Sequence, residues 1–442
     1  MKFLLIDPMG AGLDIAMRAK AAGHEVRHFI RQTPKTDKIG RGLVDVVSDF
    51  TPWLNWADLV FNTDNTRYLR ELDAHRLRSP KTAVISASQE SALWELDRGI
   101  GQDVLRKAGV AVPPYKEFTT YDQAIAYGKK EMRRFVSKPS GDADKALSYV
   151  AKTPEDMVYM LERWKRAGKN NGPFILQEFI GGIEMAVGGW FGPGGWNRNW
   201  CENWEFKKLM DGDLGVNTGE QGTVMRYVKR SKLAEKVLLP VTVGLAKLGY
   251  VGYVDVNCII DEEGTPWPLE FTMRPGWPCF NIQQALHEGD PIEWMMDLAK
   301  GRDAQNTLAN SVALGVVLSI PDYPYSHITR KEVQGVPIYG LSPAVMEHIH
   351  PCEMMLGQAP QEKAGQITTA PMPVTAGDYV LVASATSDTV YAAKQKAYRV
   401  LRRLRVPNSP MWRTDIGDRL AKQLPKLQAM GYATGLKFST EP

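Results

Sequence analysis

This sequence predicts a multidomain protein of mixed α/β and α+β class, on three observations. An apolar strand, Lys2 to Ile6, runs through the turn DPMGAG into a helix and returns as a second strand, which is how a parallel sheet opens. The stretch Tyr250 to Gly276 reads as two strands joined by a polar turn, with Val254, Val256, Cys258 and Ile260 on one face and Asp255 and Asn257 on the other. The length of 442 residues suits roughly two to four domains with substantial cores.

Taken in order, the first helix runs to Lys20, Gly23 ends it, and His24 to Phe29 is the second strand. Gly10 and Gly12 let a backbone approach an anion at the helix start, although the third glycine of a dinucleotide fingerprint is replaced by Ile15. Strands at Leu59 to Asn62 and Thr82 to Ser86 complete a first domain ending near residue 95. Arg98 to Ala108 is helical and GVAVPP stops it. Phe135 to Lys138, Phe174 to Phe179 and Ile183 to Phe191 read as strands, the first leading into a polar loop through Lys145. Trp190 to Trp204 reads as a long hairpin or loop. Asp211 to Gly222, DGDLGVNTGEQG, is too punctuated by glycine for a regular element. A helix over Leu233 to Leu248 leads into the central hairpin, and Pro291 to Lys300 is helical. Beyond Asn310, strands at Ala313 to Ile320 and Tyr379 to Ser384 precede a helix with Val390, Ala393, Ala397, Val400 and Leu404 on one face. The residues after Gly431 are expected to be poorly tethered.

A formal charge of +4 gives no strongly basic surface, so nothing points to nucleic acid, although such a partner is not excluded. The four cysteines form no CxxC pair and the seven histidines no zinc pattern, as in a reducing, cytoplasmic setting. The N-terminal apolar run stops at Asp7 and no long apolar stretch follows, so a soluble, non-membrane protein is expected.

The hairpin carries the chemistry. With a turn of two or four residues, Glu270 and Thr272 join Asp255 on one face, whereas a three-residue turn sends them to opposite faces. Hard oxygen ligands on a sheet face suit Mg²⁺ that also carries phosphates, and Arg274 would neutralise a developing anion. A half-solvated hairpin with ordinary surface acids is the alternative.

The order of motifs resembles the ATP-grasp superfamily, specifically the phosphoribosylamine–glycine ligases. The segments that carry it are FVSKPSG with QEFIGGIE, DGDLGVNTGEQG, GYVGYVDVNCIIDEEGTPWPLEF, and TAGDYVLVASATSDTVYAAKQKAYRVL followed by WRTDIG. Against the family's loop DGDxGxNTGGMG, residues Asp211, Gly212, Asp213, Gly215, Asn217, Thr218, Gly219 and Gly222 match. The resemblance implies a Rossmann-like (pre-ATP-grasp) domain over 1–95 and an ATP-grasp region over 96–309 with a lid lobe at about 115–185. A C-terminal mixed α/β domain over 310–430 and a tail over 431–442 would follow.

It also implies ATP and a pair of Mg²⁺ ions, with Mn²⁺ as a substitute. Arg98 and Lys138 would meet the phosphates, Glu178, Phe179 and Leu269 the adenine, and Glu184 the ribose. Glu270, Asp255 and Thr272, the last where the family has asparagine, would hold metal. Arg274, Lys207, Asp213 and Asn217 would serve the reaction, and Gly10, Gly12, Thr218, Gly219, Arg413 and Asp415 the substrates. The loop Ser140 to Lys145 would close over ATP.

The family's GGREHA, GPEAPL and NGGR elements are replaced here by MGAGLDIA, NTDNTRY and AGDY. Losing arginines and a histidine that meet a sugar phosphate removes several kcal/mol of binding. Arg67, Arg70 or Arg413 would then hold another anion, and Trp53, Trp56 or Trp412 would stack on a ring or belong to the core. The expected function is an ATP-dependent carboxylate–amine ligase working through an acyl phosphate. It would activate glycine or another small amino acid and use an unidentified amine, free or nucleotide-linked, other than phosphoribosylamine. A divergent phosphoribosylamine–glycine ligase and a non-catalytic nucleotide-binding protein are the alternatives, and monomer or homodimer both fit.

Overall fold

The structure, a computed structural model, describes residues 1–139, 147–169, 172–302, 307–325, 331–407 and 409–440. The N-terminal unit is a parallel sheet in the order Val46–Val47, Glu25–Phe29, Lys2–Ile6, Leu59–Asn62, Ala83–Ile85. Phe3, Leu4, Leu5 and Ile6 are all fully buried, because a central parallel strand is covered on both faces. A second, antiparallel sheet orders Tyr115–Phe118, Phe174–Glu178, Phe135–Pro139 and Tyr149–Val150. With helices Tyr121–Glu131 and Pro154–Arg166 it forms a lobe whose core, including Phe118, Phe135, Leu161 and Phe174, is separate from the main one.

The largest sheet is antiparallel and positions the site. Its order is Pro266–Thr272, Gly252–Ile260, Ile183–Gly192, Trp200–Met210, Leu214–Val228, Val312–Ser319, Tyr379–Ser387, Ile349–Pro351. It runs unbroken past residue 310, since Gly222 pairs with Val316 and Ala313 with Thr386. The N-terminal helix Leu13–Ala21 is tied to its far edge by buried His350, which bridges Asp14 (2.7 Å) and Ser384 (2.7 Å).

Three expectations are corrected. Asp211 to Gly222 is not irregular throughout: after a single turn at Asp211–Asp213, a strand runs from Leu214 to Val228. Its pairing with Trp200–Met210 breaks register on either side of Lys208, and glycine fits because a side chain on Gly222 would strike the Gly315 carbonyl. The helix over Leu233 to Leu248 is split into Lys232–Val237 and Thr242–Lys247, since Pro240 between them cannot donate a helical hydrogen bond. The tail is docked rather than loose. Lys437 and Phe438 carbonyls accept from Val390 and Tyr391 amides, and the buried Tyr432 hydroxyl donates to Gly264 O at 2.8 Å.

Tyr432→Ala is expected to destabilise the chain by about 3–5 kcal/mol, the usual cost of emptying a buried aromatic site. Urea unfolding followed by tryptophan fluorescence checks this, and a loss below about 1 kcal/mol would show that the tail contributes little.

Candidate active site

The central hairpin reaches its register by an unexpected route. Ile260 pairs with Pro266, so the loop is Asp261 to Thr265, closed by Asp261 Oδ1 accepting from the Glu263 and Thr265 amides. A loop of that odd length would by itself put Glu270 on the buried face. The pairing then shifts from Cys258↔Pro268 to Asn257↔Glu270 and leaves Leu269 as a bulge, which returns Glu270 and Thr272 to the face of Asp255 and Asn257. The expected short turn is thus replaced by a longer loop plus a bulge. Glu270 lies directly opposite Asn257, and Asp255 opposite Thr272, so Asp255 and Glu270 are diagonal neighbours.

The bulge also aims the Leu269 carbonyl, which accepts from Gln102 Nε2 at 3.0 Å and Lys138 Nζ at 3.3 Å. Leu269, expected to enclose the base with its side chain, therefore contributes its backbone to the lobe's lysine. Gln102 and Arg98 sit four residues apart on helix Arg98–Lys107, hence on one face, and Arg98 forms an ion pair with Glu270. Lys138 is 8% exposed. Burial brings its pKa down to about 8, against the opposing pull of Glu270.

Arg274 and Lys207, like Arg98, are held by carboxylates. Arg274 reaches Glu95 at 3.2 Å, and Glu95 in turn accepts from Asn65. Lys207 lies between Glu184 (2.8 Å) and Glu205 (3.1 Å). Desolvation works against its charge, yet the two carboxylates prevail and raise its pKa well above the ordinary lysine value.

Small residues on the middle strand let the site form. Gly188 pairs with both Asp255 and Cys201, and Ala186 with both Asn257 and Asn203. With so little side chain between them, groups two strands apart meet over the top. Asn203 Nδ2 donates to Asp255 Oδ2 and Asn257 Nδ2 to Glu205 Oε2, each at 2.9 Å. A side chain on Gly188 would collide with the Tyr253 hydroxyl and Asp255. Burial, then the nearby Glu205 charge, pushes the Asp255 carboxyl up to about 7. Sequence reasoning missed Asn203, Glu205, Glu220 and Tyr253. The period-two spacing of Asn203, Glu205 and Lys207 among aromatic residues was the available signal.

Other expected residues lie elsewhere or act differently. Glu178 pairs with Arg133 at 2.6 Å, and the Arg134 guanidinium stacks 3.4 Å from the Phe179 ring centroid. Gly10 and Gly12 do not present an open anion site, because the Gly12 amide already donates to the buried Asp7 carboxylate at 2.7 Å. Asp7 also holds His28 and Thr63. Arg413 is 1% exposed and is spent on Asp415, Asp213 and the Lys208 carbonyl. It clamps the Asp211–Asp213 turn, and Asp415 likewise accepts from the Gly212 amide. Asn217 donates to Ser148 of the lobe, Thr218 to the Lys207 carbonyl, and Gly219 is exposed beside it. Trp53 and Trp56 meet edge-on beneath Arg27, and Trp412 packs on the core. The expected closing loop, Ser140 to Lys145, lies outside the described residues.

Among the described residues no three His, Cys, Asp or Glu side chains converge to hold an ion. Mg²⁺ does not require such a cage, since one or two carboxylates and substrate phosphates suffice. Asn257 Oδ1, buried and without a hydrogen-bond partner directly opposite Glu270, adds another hard oxygen, so the donor set fits. Among the described residues no helix is long and apolar enough to cross a membrane.

Residues 97–279 match the family described as phosphoribosylglycinamide synthetase, ATP-grasp (A) domain. The chain is 25% identical over 366 residues to the phosphoribosylamine–glycine ligase of Salmonella typhimurium, covering 79% of this chain and 80% of that protein. It is 27% identical over 346 residues to the Pseudomonas aeruginosa enzyme of the same name, covering 74% and 76%. The crystal structure of phosphoribosylamine–glycine ligase from Thermotoga maritima shares the fold, with a TM-score of 0.71, 19% identity and coverage of 94% of this chain and 100% of that one. Residues 97–279 are therefore similar to the ATP-grasp domain of the phosphoribosylglycinamide synthetases and most of the chain to the phosphoribosylamine–glycine ligases, which supports an ATP-dependent carbon–nitrogen ligase.

Proposed function

We propose that this ligase joins a small amino acid, glycine or a near relative, to an amine other than phosphoribosylamine. The observation that supports the change of amine is the state of the groups that would take a sugar phosphate. The helix N-terminus after Gly12 is already met by the Asp7 carboxylate, and Arg413 is consumed by Asp415 and Asp213. An incoming phosphate would find an anion where it needs a donor. The buried thiols suit the cytoplasm, and the site as described draws on a single chain.

In this reading the substrate carboxylate attacks the terminal phosphorus of ATP, releasing ADP and leaving an acyl phosphate, and the amine then displaces phosphate from the activated carbonyl. Such a transfer needs positioning and neutralisation of charge. Arg98 and Lys138 exchange their present acceptors, Glu270 and the Leu269 carbonyl, for phosphate oxygens. Glu270, freed of Arg98, would hold Mg²⁺ with Asp255, Asn257 or Thr272, and the ion would supply further positive charge there. Lys207, kept protonated by Glu184 and Glu205, faces the acceptor side.

Phosphate release from a matrix of amino acids and amines tests the proposal. Turnover with a pair lacking phosphoribosylamine is expected, and turnover that strictly requires phosphoribosylamine would overturn it. Glu270→Ala should lower ADP formation by about 10²–10³-fold without changing the circular-dichroism spectrum, and near-normal turnover would remove Glu270 from the phosphate site. Because Lys138 carries its charge only below about 8, nucleotide affinity should fall as pH rises through that value. In Lys138→Arg, whose guanidinium stays charged, the fall should flatten. Calorimetric titrations between pH 7 and 9 check both.

A further inference from the structure

Where the family's loop pattern has glycine and methionine, this chain has Glu220 and Gln221. Both sit in a second irregularity of the sheet. Between the pairs Phe206↔Gly222 and Lys208↔Asn217, Lys207 alone faces the looped-out stretch Thr218 to Gln221, and such a bulge re-aims side chains. Glu220 is 4% exposed and its Oε1 has no hydrogen-bond partner. Burial, and then the charges of Glu205, Asp255 and Glu184, push its carboxyl well above the usual carboxylate range, a shift that a cation bound there would reverse as the proton leaves.

Two further buried oxygens lie along the same pair of strands. Asn203 is fully buried and points into the cluster, since its Nδ2 donates to Asp255 while its Oδ1 has no partner. Thr223, also fully buried, stands opposite Glu205 in the register, and its Oγ1 is likewise without a partner. Gln221 braces the edge, donating to Thr218 Oγ1 (3.0 Å) and to the Tyr323 hydroxyl (3.1 Å). Unsatisfied oxygens at this depth are costly unless a ligand supplies hydrogens. Three acceptors among crowded carboxylates call for a compact positive group with several N–H bonds.

We propose that Glu220, Asn203 and Thr223 form a binding site for a primary ammonium group of a substrate. This rests on the ligase reading for which substrate it is, but not for the site itself. The ammonium belongs either to the amino acid or to the acceptor amine, and both present the same chemistry. The site also explains the exchange of glycine for Glu220: a chain whose acceptor is not an anion gains by placing a carboxylate there.

The test is calorimetric titration of the full chain with methylammonium chloride, with sodium acetate as the control. Methylammonium is expected to bind saturably to the native protein and about tenfold or more weakly to E220Q, with ATP affinity unchanged as evidence of folding. If E220Q does not fold, E220G, which restores the family's residue, carries the same comparison. Equal methylammonium binding to native and variant proteins, or none to the native one, overturns the site. In turnover assays, E220Q raising the KM of the amino acid alone assigns the site to its α-ammonium, and raising that of the amine alone assigns it to the acceptor. Loss of methylammonium binding in a protein that turns over no pair would keep the site and remove the ligase reading.

Discussion

The single residue of slack at Leu269 governs the rest of this site. The loop Asp261 to Thr265 would send Glu270 into the core with Val254 and Val256, and the bulge reverses that by one step. The same distortion frees a carbonyl that would otherwise belong to the ladder, and Lys138 and Gln102 take it. One irregularity therefore sets the face of the acidic side chains and anchors the lobe's lysine against the hairpin. Bulges recur next to active sites because they re-aim groups without disturbing the strands around them.

A second constraint is charge balance. Arg98 is matched by Glu270, Arg274 by Glu95, and Lys207 by Glu184 and Glu205. Such pairing keeps partly buried ions from standing alone, which would cost several kcal/mol each. It also means that a polyanionic ligand does not meet bare cations. It must compete for them, and each cation it wins releases a carboxylate whose oxygens become available to a metal. The small residues Ala186 and Gly188 make the arrangement possible by letting side chains bridge across them.

Much of this was legible in the sequence, and the failures have physical reasons. Lys2–Ile6 and Leu59–Asn62 were read to the residue, because continuous apolar runs bounded by turns specify buried parallel strands. Alternation placed Val254, Val256, Cys258 and Ile260 inside and Asp255 and Asn257 on the other face. The bulge was invisible, since nothing in PWPLEF marks which residue leaves the ladder. Asn203 and Glu205 were overlooked because a run rich in tryptophan and asparagine resembles a loop until its strand partners are known. Arg413 looked like a ligand-binding arginine because sequence does not show that Asp213, some two hundred positions earlier, already occupies it. The tail misled for the same reason: Tyr432 is anchored by the Gly264 carbonyl, a contact no local pattern encodes.

The lobe built on Phe118, Phe135 and Phe174 has its own core, whereas the central sheet continues into the C-terminal strands as one body. Lys138 rides on the first and its acceptor, the Leu269 carbonyl, on the second. Cooperative opening of the smaller unit would carry off Lys138 while the acidic sheet stayed intact. On the proposed assignments, metal and amine binding then outlast nucleotide binding under mild denaturing stress, giving the molecule two thresholds of failure instead of one.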